Sequence, residues 1–353
     1  MHYEITDENV KIIGRTCMER GIRWCGHSGS GIEFQMVGTS VSITLSGDDT
    51  TQGNETEGKA RVGIYVNEKR VVDTILEQPE NTFSVFNSSE PQTVTVRIIK
   101  LSECAMSVMG VKCIEADAID GIHPTMPKGH AIEFVGDSIT CGFGVDLEDP
   151  DTMFQTKTED VTRAYAYKVA QKLDADYSMV SFSGYGIISG YTDTDIPQEE
   201  QLVPSYYEKV GFSYAKPFGT LQMQDIAWDF LKYRPELVVI NLGTNDDSYC
   251  KDHDLRRQQF TEKYVEFLKL IRKNNPQATI LCIVGLMGER IYPTVEKAVW
   301  QYRNQTAETN VYAMKLAEQL PEDGLVTCSH PTEISHEKAA IKVADKIRTI
   351  MKW

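Results

Sequence analysis

Four short segments carry residue types that together could perform nucleophilic catalysis. The segments are Gly136-Asp137-Ser138, Ser183-Gly184-Tyr185-Gly186, Gly243-Thr244-Asn245-Asp246 and Ser329-His330-Pro331. Serine supplies a nucleophilic hydroxyl, and histidine supplies a base that works near neutral pH. A glycine N–H, an asparagine amide and the N–H of the nucleophile itself can donate hydrogen bonds to a developing oxyanion. In this chain order the segments supply a nucleophile, two further oxyanion donors and a base.

Each segment taken alone also has an ordinary structural explanation. Ser138 could simply cap the helix that follows it, and Gly184 could belong to an ordinary turn. Asn245 is of a residue type that favours turns for local hydrogen-bonding reasons. His330 and His336 lie six residues apart in a loop, which permits a metal site, but no third cluster of Cys, His or Asp supports one. The set is stronger than its parts, because each segment follows a predicted strand or precedes the last predicted helix.

The elements that must position these residues alternate between strand and helix from about residue 131 onward. Apolar runs predict buried parallel strands at 132–135, 177–180, 237–242 and 279–286. Helical patterns predict helices at 164–173, 222–232, 260–273, 295–320 and 337–351. This alternation is typical of an α/β fold with a parallel sheet covered by helices on both faces. In such a fold, ligands bind beyond the carboxyl ends of the strands.

The first third of the chain has a different hydrophobic rhythm. Alternating or β-branched segments predict short strands at 32–36, 40–45, 61–66 and 93–99. Strands at this spacing, with no long helical period, predict an antiparallel β-sandwich. The Gly- and Pro-containing stretch 117–129 is the natural linker. We therefore predict an all-β domain at residues 1–122 and an α/β domain at residues 123–353.

The composition is that of a soluble globular protein and disfavours some partners. Hydrophobic residues make up 41% and charged residues 25% of the 353 residues, and the formal net charge is −15. This charge argues against nucleic acid and anionic membranes as partners. No apolar run approaches the roughly 20 residues that span a bilayer, and no signal peptide is visible. The eight cysteines form no CxxC pair, so we expect a cytoplasmic protein, with secretion after loss of a leader as the alternative.

The four segments, in this order, resemble the four sequence blocks of the SGNH (GDSL-like) hydrolases. The Ser-Gly-Tyr-Gly form of the second segment and the preceding β-rich region are similar to carbohydrate esterase family 2. Members of that family are acetyl (xylan) esterases with an N-terminal jelly roll and a flavodoxin-like C-terminal SGNH domain. The resemblance covers nearly all of residues 10–350.

This resemblance implies a role for each matching residue. Ser138 would attack an ester carbonyl, and His330 would be its base. The Ser138 N–H, the Gly184 N–H and the Asn245 side chain would hold the oxyanion. No metal and no organic cofactor is implied. The implied partner is an acetylated oligosaccharide or polysaccharide, and oligomerisation is possible.

One position departs from the SGNH pattern. These hydrolases usually carry Asp three residues before the catalytic histidine, and here that residue is Thr327. The nearest carboxylates in sequence, Asp323 and Glu333, do not occupy the motif position. We therefore hypothesise a Ser138–His330 dyad whose imidazole is oriented by a backbone carbonyl, as in some family 2 esterases. A displaced carboxylate is the alternative.

Two further residues near these segments receive a structural interpretation. His336 occupies the position of a common helix-start histidine in the SGNH pattern. Asp137 is expected to shape the nucleophile turn and to be neither an acid nor a base.

Aromatic residues indicate where a sugar could stack. Between the second and third segments the aromatics are Tyr185, Tyr191, Tyr206, Tyr207, Phe212, Tyr214 and Phe218. Of these we assign Tyr185, together with Trp300 further along the chain, to substrate binding. Two other classes of function stay open. A lipase or thioesterase of the same superfamily would need a long apolar channel, and a non-catalytic carbohydrate-binding protein could be built on the jelly roll.

Overall fold

The structure is a computed structural model that describes residues 1–53, 57–147, 149–217 and 222–353. By its contacts the chain forms two compact units. The first comprises residues 1–128, 155–159 and 209–228, and the second comprises residues 129–154, 160–208 and 229–353. Two later segments thus join the first unit. The division into domains between residues 122 and 123 stays a prediction.

The first unit is built from antiparallel strands. They are β1 (His2–Tyr3), β2 (Lys11–Ile13), β3 (Thr16–Glu19), β4 (Ile22–Cys25), β5 (Gly31–Gly47), β6 (Arg61–Val66), β7 (Lys69–Ile75), β8 (Glu80–Lys100) and β9 (Met109–Pro124). The strand order is β3-β4-β9-β5-β8-β6-β7, with β1 beside β9 and β2 beside β5. All four predicted strands fall within β5, β6 and β8, which confirms the predicted antiparallel β fold of this region.

Three long strands dominate this unit. Strands β5, β8 and β9 have 17, 21 and 16 residues, and the pairing of β5 with both neighbours is interrupted by register shifts. Such irregularities bend a strand, so a continuous sheet can enclose a core. Alternate side chains then point inward. The fully buried residues of this core include Ile32, Phe34, Ile43, Val62, Val96, Ile98 and Ile114.

The second unit alternates strands with helices. Its strands are β10 (His130–Gly136), β11 (Ala175–Ser181), β12 (Leu237–Asn241), β13 (Thr279–Leu286), β14 (Val311–Glu318), β15 (Leu325–Val326) and β16 (His330–Pro331). Its helices are α1 (Ser138–Cys141), α2 (Tyr165–Lys172), α3 (Val203–Tyr206), α4 (Thr244–Cys250), α5 (Asp254–Asn274), α6 (Tyr292–Thr306) and α7 (Glu333–Met351). None of the helices in the described part of the chain has the length and apolar composition needed to cross a bilayer.

The main sheet of this unit is parallel, in the order β11-β10-β12-β13-β14. From β10 the chain passes first to β11 on one side and later to β12 on the other. This order therefore has a switch point at β10, and right-handed crossovers to opposite sides place helices on both faces. Helix α2 packs against α7, and α5 packs against α6. The predicted α/β fold is confirmed.

Two predicted helices are wrong. Residues 222–232 contain only a short 3-10 turn at Met223–Asp225, because Ile226 is extended and its carbonyl accepts from the Val210 N–H at 2.9 Å instead of continuing a helix. The predicted helix at 295–320 ends at Thr306, where Ala307 adopts a left-handed φ of 60°. Strand β14 follows and pairs with β13, where it forms the outer strand of the parallel sheet.

Candidate active site

The sheet brings the first three segments to one edge. Gly136, the last residue of β10, pairs with Ser181 of β11 on one side and with Asn241 of β12 on the other. Ser138, Gly184 and Asn245 follow these paired positions within a few residues. They therefore lie beyond the carboxyl ends of three adjacent strands, at the switch point of the sheet, where open α/β folds bind ligands.

Ser138 contacts the predicted base directly. The distance between Ser138 Oγ and His330 Nε2 is 2.8 Å, and His330 Nδ1 lies 3.1 Å from the Thr327 carbonyl oxygen. A carbonyl oxygen can only accept, so Nδ1 carries the ring proton. The Nε2 lone pair then accepts the hydrogen bond that the Ser138 hydroxyl donates. This is the tautomer that a base for Ser138 requires.

Neither nearby carboxylate approaches the imidazole as a hydrogen-bond partner. Both oxygens of Asp323 accept from Lys338 Nζ, at 2.6 and 2.7 Å. Glu333 accepts from Lys168 Nζ at 2.8 Å. The orienting atom of His330 is thus the backbone oxygen at the position where the SGNH pattern has Asp. This geometry is the one that the dyad hypothesis describes.

A tight hairpin places His330. Strands β15 and β16 pair through Val326 and His330, and the connecting residues Cys328 and Ser329 both have left-handed φ values, 53° and 60°. Such conformations cost about 1–3 kcal/mol each in non-glycine residues. Gln319 Nε2 holds the turn by donating to the Ser329 carbonyl at 2.7 Å. The strained conformation of the hairpin is therefore stabilised by a hydrogen bond from outside the hairpin.

The turn around Ser138 is fixed by its neighbour. Asp137 is the N-cap of α1, and its carboxylate accepts from the Ile139 N–H at 3.0 Å. The capping role that Ser138 could have had is thus filled by Asp137, which leaves the Ser138 hydroxyl to His330. Burial raises the pKa of Asp137 to about 7.

Burial also lowers the pKa values of the two histidines. It lowers the pKa of His330 to about 4 and that of His336 to about 3. His336 is buried and its Nδ1 accepts from the Tyr165 N–H at 3.2 Å. A neutral ring in this place joins α7 to the start of α2, in keeping with a structural role.

The low pKa of His330 predicts the pH at which protonation of this ring stops the reaction. Only the neutral ring can take the Ser138 proton, so this loss of kcat/KM is expected to have its midpoint near pH 4. An ordinary histidine would place this midpoint near 6.5. The measurement is kcat/KM for a soluble acetyl ester between pH 3.5 and 8. A profile whose whole loss has its midpoint between 6 and 7, with no loss near pH 4, would contradict the desolvated state of the ring.

This measurement needs a stability control. The pKa values of His330 and His336 lie below 6.5 in the folded protein, so the unfolded chain binds more protons as the pH falls from 6.5 toward 4. The stabilisation that these two neutral histidines give above pH 6.5 is lost in that window, while the raised pKa of Asp137 acts in the opposite direction. Samples held at each pH and returned to pH 7 before assay separate reversible titration of His330 from acid unfolding.

The predicted donors Gly184 and Asn245 follow the two strands that flank β10, one on each side. Gly184 has a φ of 81°, a left-handed conformation that favours glycine, and its carbonyl accepts from the Tyr191 N–H at 2.8 Å. Asn245 is the second residue of α4 and is 7% exposed. Its Nδ2 donates to the Tyr185 carbonyl at 2.9 Å and lies 3.3 Å from Asp137 Oδ2. The amide is therefore held in place before any substrate binds.

The two predicted substrate-binding residues lie in different surroundings. Tyr185 is 3% exposed, and its ring packs against the rings of Phe182 and Tyr206. Trp300 is 64% exposed on α6. It lines a groove of about 780 Å³ together with Pro293, Glu296, Lys297, Val299, Arg303, Asn304, Tyr312 and Ala313. Among the other aromatics, Tyr191 and Tyr214 are exposed, Tyr207 is buried, and Phe218 lies outside the described residues.

Two features of the site were missed by sequence reasoning. The Phe143 ring packs on the His330 ring at a centroid distance of 4.5 Å and stacks on Phe154 at 3.8 Å. Phe143 lies five residues after Ser138 in the sequence, and this short separation was the available signal. The second is Asp246, whose carboxylate accepts from three consecutive backbone N–H groups at residues 187–189. Its place next to Asn245 gave no indication of this.

Within the described ranges, no group of three or more His, Cys, Asp or Glu side chains is arranged to hold a metal ion. The two histidines that permitted a metal interpretation are instead bonded to other partners. His330 contacts Ser138 and Thr327, and His336 contacts the backbone of Tyr165.

Comparison with known proteins gives consistent relationships for both parts of the chain. Residues 134–325 match the GDSL-like lipase/acylhydrolase family, and residues 12–125 match the carbohydrate esterase 2 N-terminal family. The chain is 29% identical over 346 residues to the cellulase/esterase CelE of Acetivibrio thermocellus, a match that covers 93% of this chain and 38% of CelE. It is 24% identical over 356 residues to an acetylxylan esterase/glucomannan deacetylase of Cellvibrio japonicus, covering 99% of this chain and 90% of that protein.

A solved structure shares the fold along the whole chain. The acetyl xylan esterase Est2A from the rumen bacterium Butyrivibrio proteoclasticus is similar with a TM-score of 0.88, over 100% of this chain and 99% of Est2A. The sequences are 22% identical. At that identity the likeness concerns the fold, and the chemistry must be argued from the site itself.

Proposed function

The chain belongs to the GDSL-like lipase/acylhydrolase family, and we propose that it is a serine esterase that removes acetyl groups from xylan or a related oligosaccharide. The observation that carries the proposal is the 2.8 Å contact between Ser138 Oγ and His330 Nε2. It lies at the switch point of the sheet, and Asn245 contacts Asp137, the residue before Ser138. A nucleophile, a base in the correct tautomer and an oxyanion donor are the parts that acyl transfer needs.

The first half of the reaction forms an acetyl-enzyme. Ser138 Oγ attacks the acetyl carbonyl carbon while its proton passes to His330 Nε2. The carbonyl oxygen becomes an oxyanion, held by the N–H groups of Ser138 and Gly184 and by the Asn245 amide. When the intermediate collapses, the bond to the sugar oxygen breaks. That oxygen takes the proton from His330, and the deacetylated sugar departs.

The second half regenerates the enzyme. Water attacks the acetyl carbonyl and gives its proton to His330. The same donors hold the second oxyanion. Collapse releases acetic acid while Ser138 Oγ recovers its proton from His330. Throughout, the Thr327 carbonyl retains the Nδ1–H and keeps the imidazole from rotating, the task that Asp performs in a triad.

The proposed substrate class rests on the relatives and on the accessible aromatic surface. The relative from Cellvibrio japonicus is an acetylxylan esterase/glucomannan deacetylase, and it matches 99% of this chain. The groove around Trp300 offers an exposed indole face beside charged and amide side chains. Aromatic faces stack on the apolar faces of sugar rings, and polar neighbours bind hydroxyls. We propose that Trp300 binds a part of the polysaccharide away from the reacting acetyl group.

A substrate panel tests this function. We expect acetate release from acetylated xylo-oligosaccharides, and a kcat/KM for an acetyl ester about 100-fold above that for an octanoyl or longer ester of the same alcohol. We also expect a fluorophosphonate to label Ser138, read by mass spectrometry. Labelling with a preference for long acyl chains would make the protein a lipase or thioesterase. Neither labelling nor acetate release would make it a carbohydrate-binding protein.

Trp300→Ala provides a second arm of the same panel. If the indole stacks on the polymer, KM for acetylated xylan should rise about tenfold while kinetics with a small acetyl ester stay unchanged. Trp353→Ala is the matched control, because Trp353 stacks on His130 near the C-terminus. An unchanged KM for the polymer in Trp300→Ala would remove this residue from the binding surface.

A further inference from the structure

The buried carboxylate of Asp246 organises a backbone turn. Asp246 is completely buried. Its Oδ1 accepts from the N–H groups of Ile187, Ile188 and Ser189 at 2.9, 2.7 and 3.2 Å, and its Oδ2 also lies 3.0 Å from the Ile187 N–H. Successive N–H groups that converge on one anion form a strong local bond set, since each bond to a charged acceptor is stronger than a neutral one.

The turn that Asp246 holds is the one that presents Gly184. The preceding residue, Asn245, holds the near end of the same stretch by donating to the Tyr185 carbonyl at 2.9 Å. Two consecutive residues of α4 thus fix both ends of residues 185–189. Gly184, with its φ of 81°, leads directly into this stretch.

Gly186 shows how closely the turn is built around the carboxylate. A Cβ on Gly186 would lie 2.6 Å from Asp246 Oδ2 and 2.1 Å from the Ser189 carbonyl oxygen. Both separations are too short for a side chain, so glycine is needed for close approach. The position of the Asp246 carboxylate therefore determines the backbone path from Gly184 to Ser189.

We propose that Asp246 is a positioning residue that aims the Gly184 N–H, and through the shared turn the Asn245 amide, at the oxyanion. This inference rests on the proposed function. Asp246 touches no reacting atom and takes no proton. An oxyanion donor is effective only when it is fixed in advance at about 3 Å from the place where the charge develops. The three N–H bonds to Asp246 supply that fixation for the second segment.

Charge is part of this role. Burial raises the pKa of Asp246 to about 6, against the three backbone N–H bonds, which lower it. The carboxylate is therefore mostly ionised at pH 8. An amide in its place would present one carbonyl oxygen and an NH2 group to a set of N–H donors, so at least one of the bonds would be replaced by a donor–donor clash.

The test compares Asp246→Asn with Asp247→Asn at pH 8. Asp247 is the next residue of α4 and pairs with Arg290 Nε at 3.0 Å, so its variant matches the chemical change without touching the turn. We expect Asp246→Asn to lower kcat for an acetyl ester on the order of 100-fold, with KM changed less than about threefold. A boronic acid, which forms a tetrahedral adduct with Ser138, should bind correspondingly more weakly. Asp247→Asn should behave as the wild type.

The outcomes separate this inference from the proposed function. A wild-type protein that hydrolyses no acetyl ester overturns the function and this inference with it. An active wild type with a fully active Asp246→Asn variant overturns the inference alone. So does a loss confined to thermal stability, or an equal loss in kcat and in substrate binding. If Asp246→Asn does not fold, Asp246→Ser, which leaves a smaller acceptor, is measured against the same control.

Discussion

Ser138→Ala and His330→Ala are each expected to lower kcat for acetyl-ester hydrolysis by about 10⁶-fold, and the double variant should lose no more. The reason is that the two residues act as one unit. Without the hydroxyl there is no acyl acceptor, and without Nε2, 2.8 Å away, the hydroxyl keeps its proton. Residual hydrolysis would come from direct attack of water on the ester, with the oxyanion donors still stabilising the tetrahedral intermediate. The measurement is acetate release under substrate saturation, compared for the single and double variants.

Two control variants address the orientation of His330. Thr327→Val should keep kcat within about threefold of the wild type, because the contact at 3.1 Å uses the backbone oxygen and not the side chain. Asp323→Asn should also stay active, since both of its oxygens face Lys338. An inactive Asp323→Asn beside an active Thr327→Val would replace the dyad with a displaced triad. Additive losses in the Ser138/His330 double variant would show that the residues act separately.

The sequence predicts the location of the candidate site residues that follow strand ends. Ser138 and Asn245 follow apolar runs that predict buried strands, and the parallel sheet brings their ends to one edge. His330 precedes a strongly periodic helix, α7. In each case hydrophobic periodicity fixes the element and the element fixes the position of the reactive residue.

The sequence predicts less where the contacts of a site residue are made by backbone atoms. Thr327 is a departure from the motif in the sequence, yet the structure shows its carbonyl in contact with His330. The role of Asp246 is invisible for the same reason, because its partners are three N–H groups and not side chains. The error at 295–320 has another cause. The apolar residues of β14 fit a helical period as well as a strand, and only pairing with β13 decides between them.

Trp300 illustrates a third kind of limit. The sequence analysis assigns this residue to substrate binding. The structure puts it in a groove with Arg303 and Tyr312, and among the described residues neither Ser138 nor His330 lines that groove. A helix carries a side chain 1.5 Å further along its axis with each residue, so a tryptophan two turns into α6 lies well away from the start of that helix.

Asn245→Ala is expected to lower kcat by about 10²- to 10³-fold with a small change in KM, which is the effect of removing one oxyanion donor. Asn245 Nδ2 is already fixed by the Tyr185 carbonyl at 2.9 Å, so only its second N–H, which lies toward Asp137 Oδ2 at 3.3 Å, has to turn to the oxyanion. The measurement is kcat and KM for the same acetyl ester at pH 8. Asn274→Ala is the matched control, because Asn274 bonds to Glu208 at the end of α5 and takes no part in the site.

The combination of Asn245→Ala with Asp246→Asn decides how the donors work together. If the two residues hold one turn and one oxyanion site, the loss in the double variant should be clearly smaller than the product of the single losses. If the loss in the double variant equals the product of the two single losses, Asn245 donates independently of the turn at 185–189. A change in KM alone in Asn245→Ala would instead assign the amide to substrate binding, and the oxyanion would then be held by the backbone N–H groups of Ser138 and Gly184.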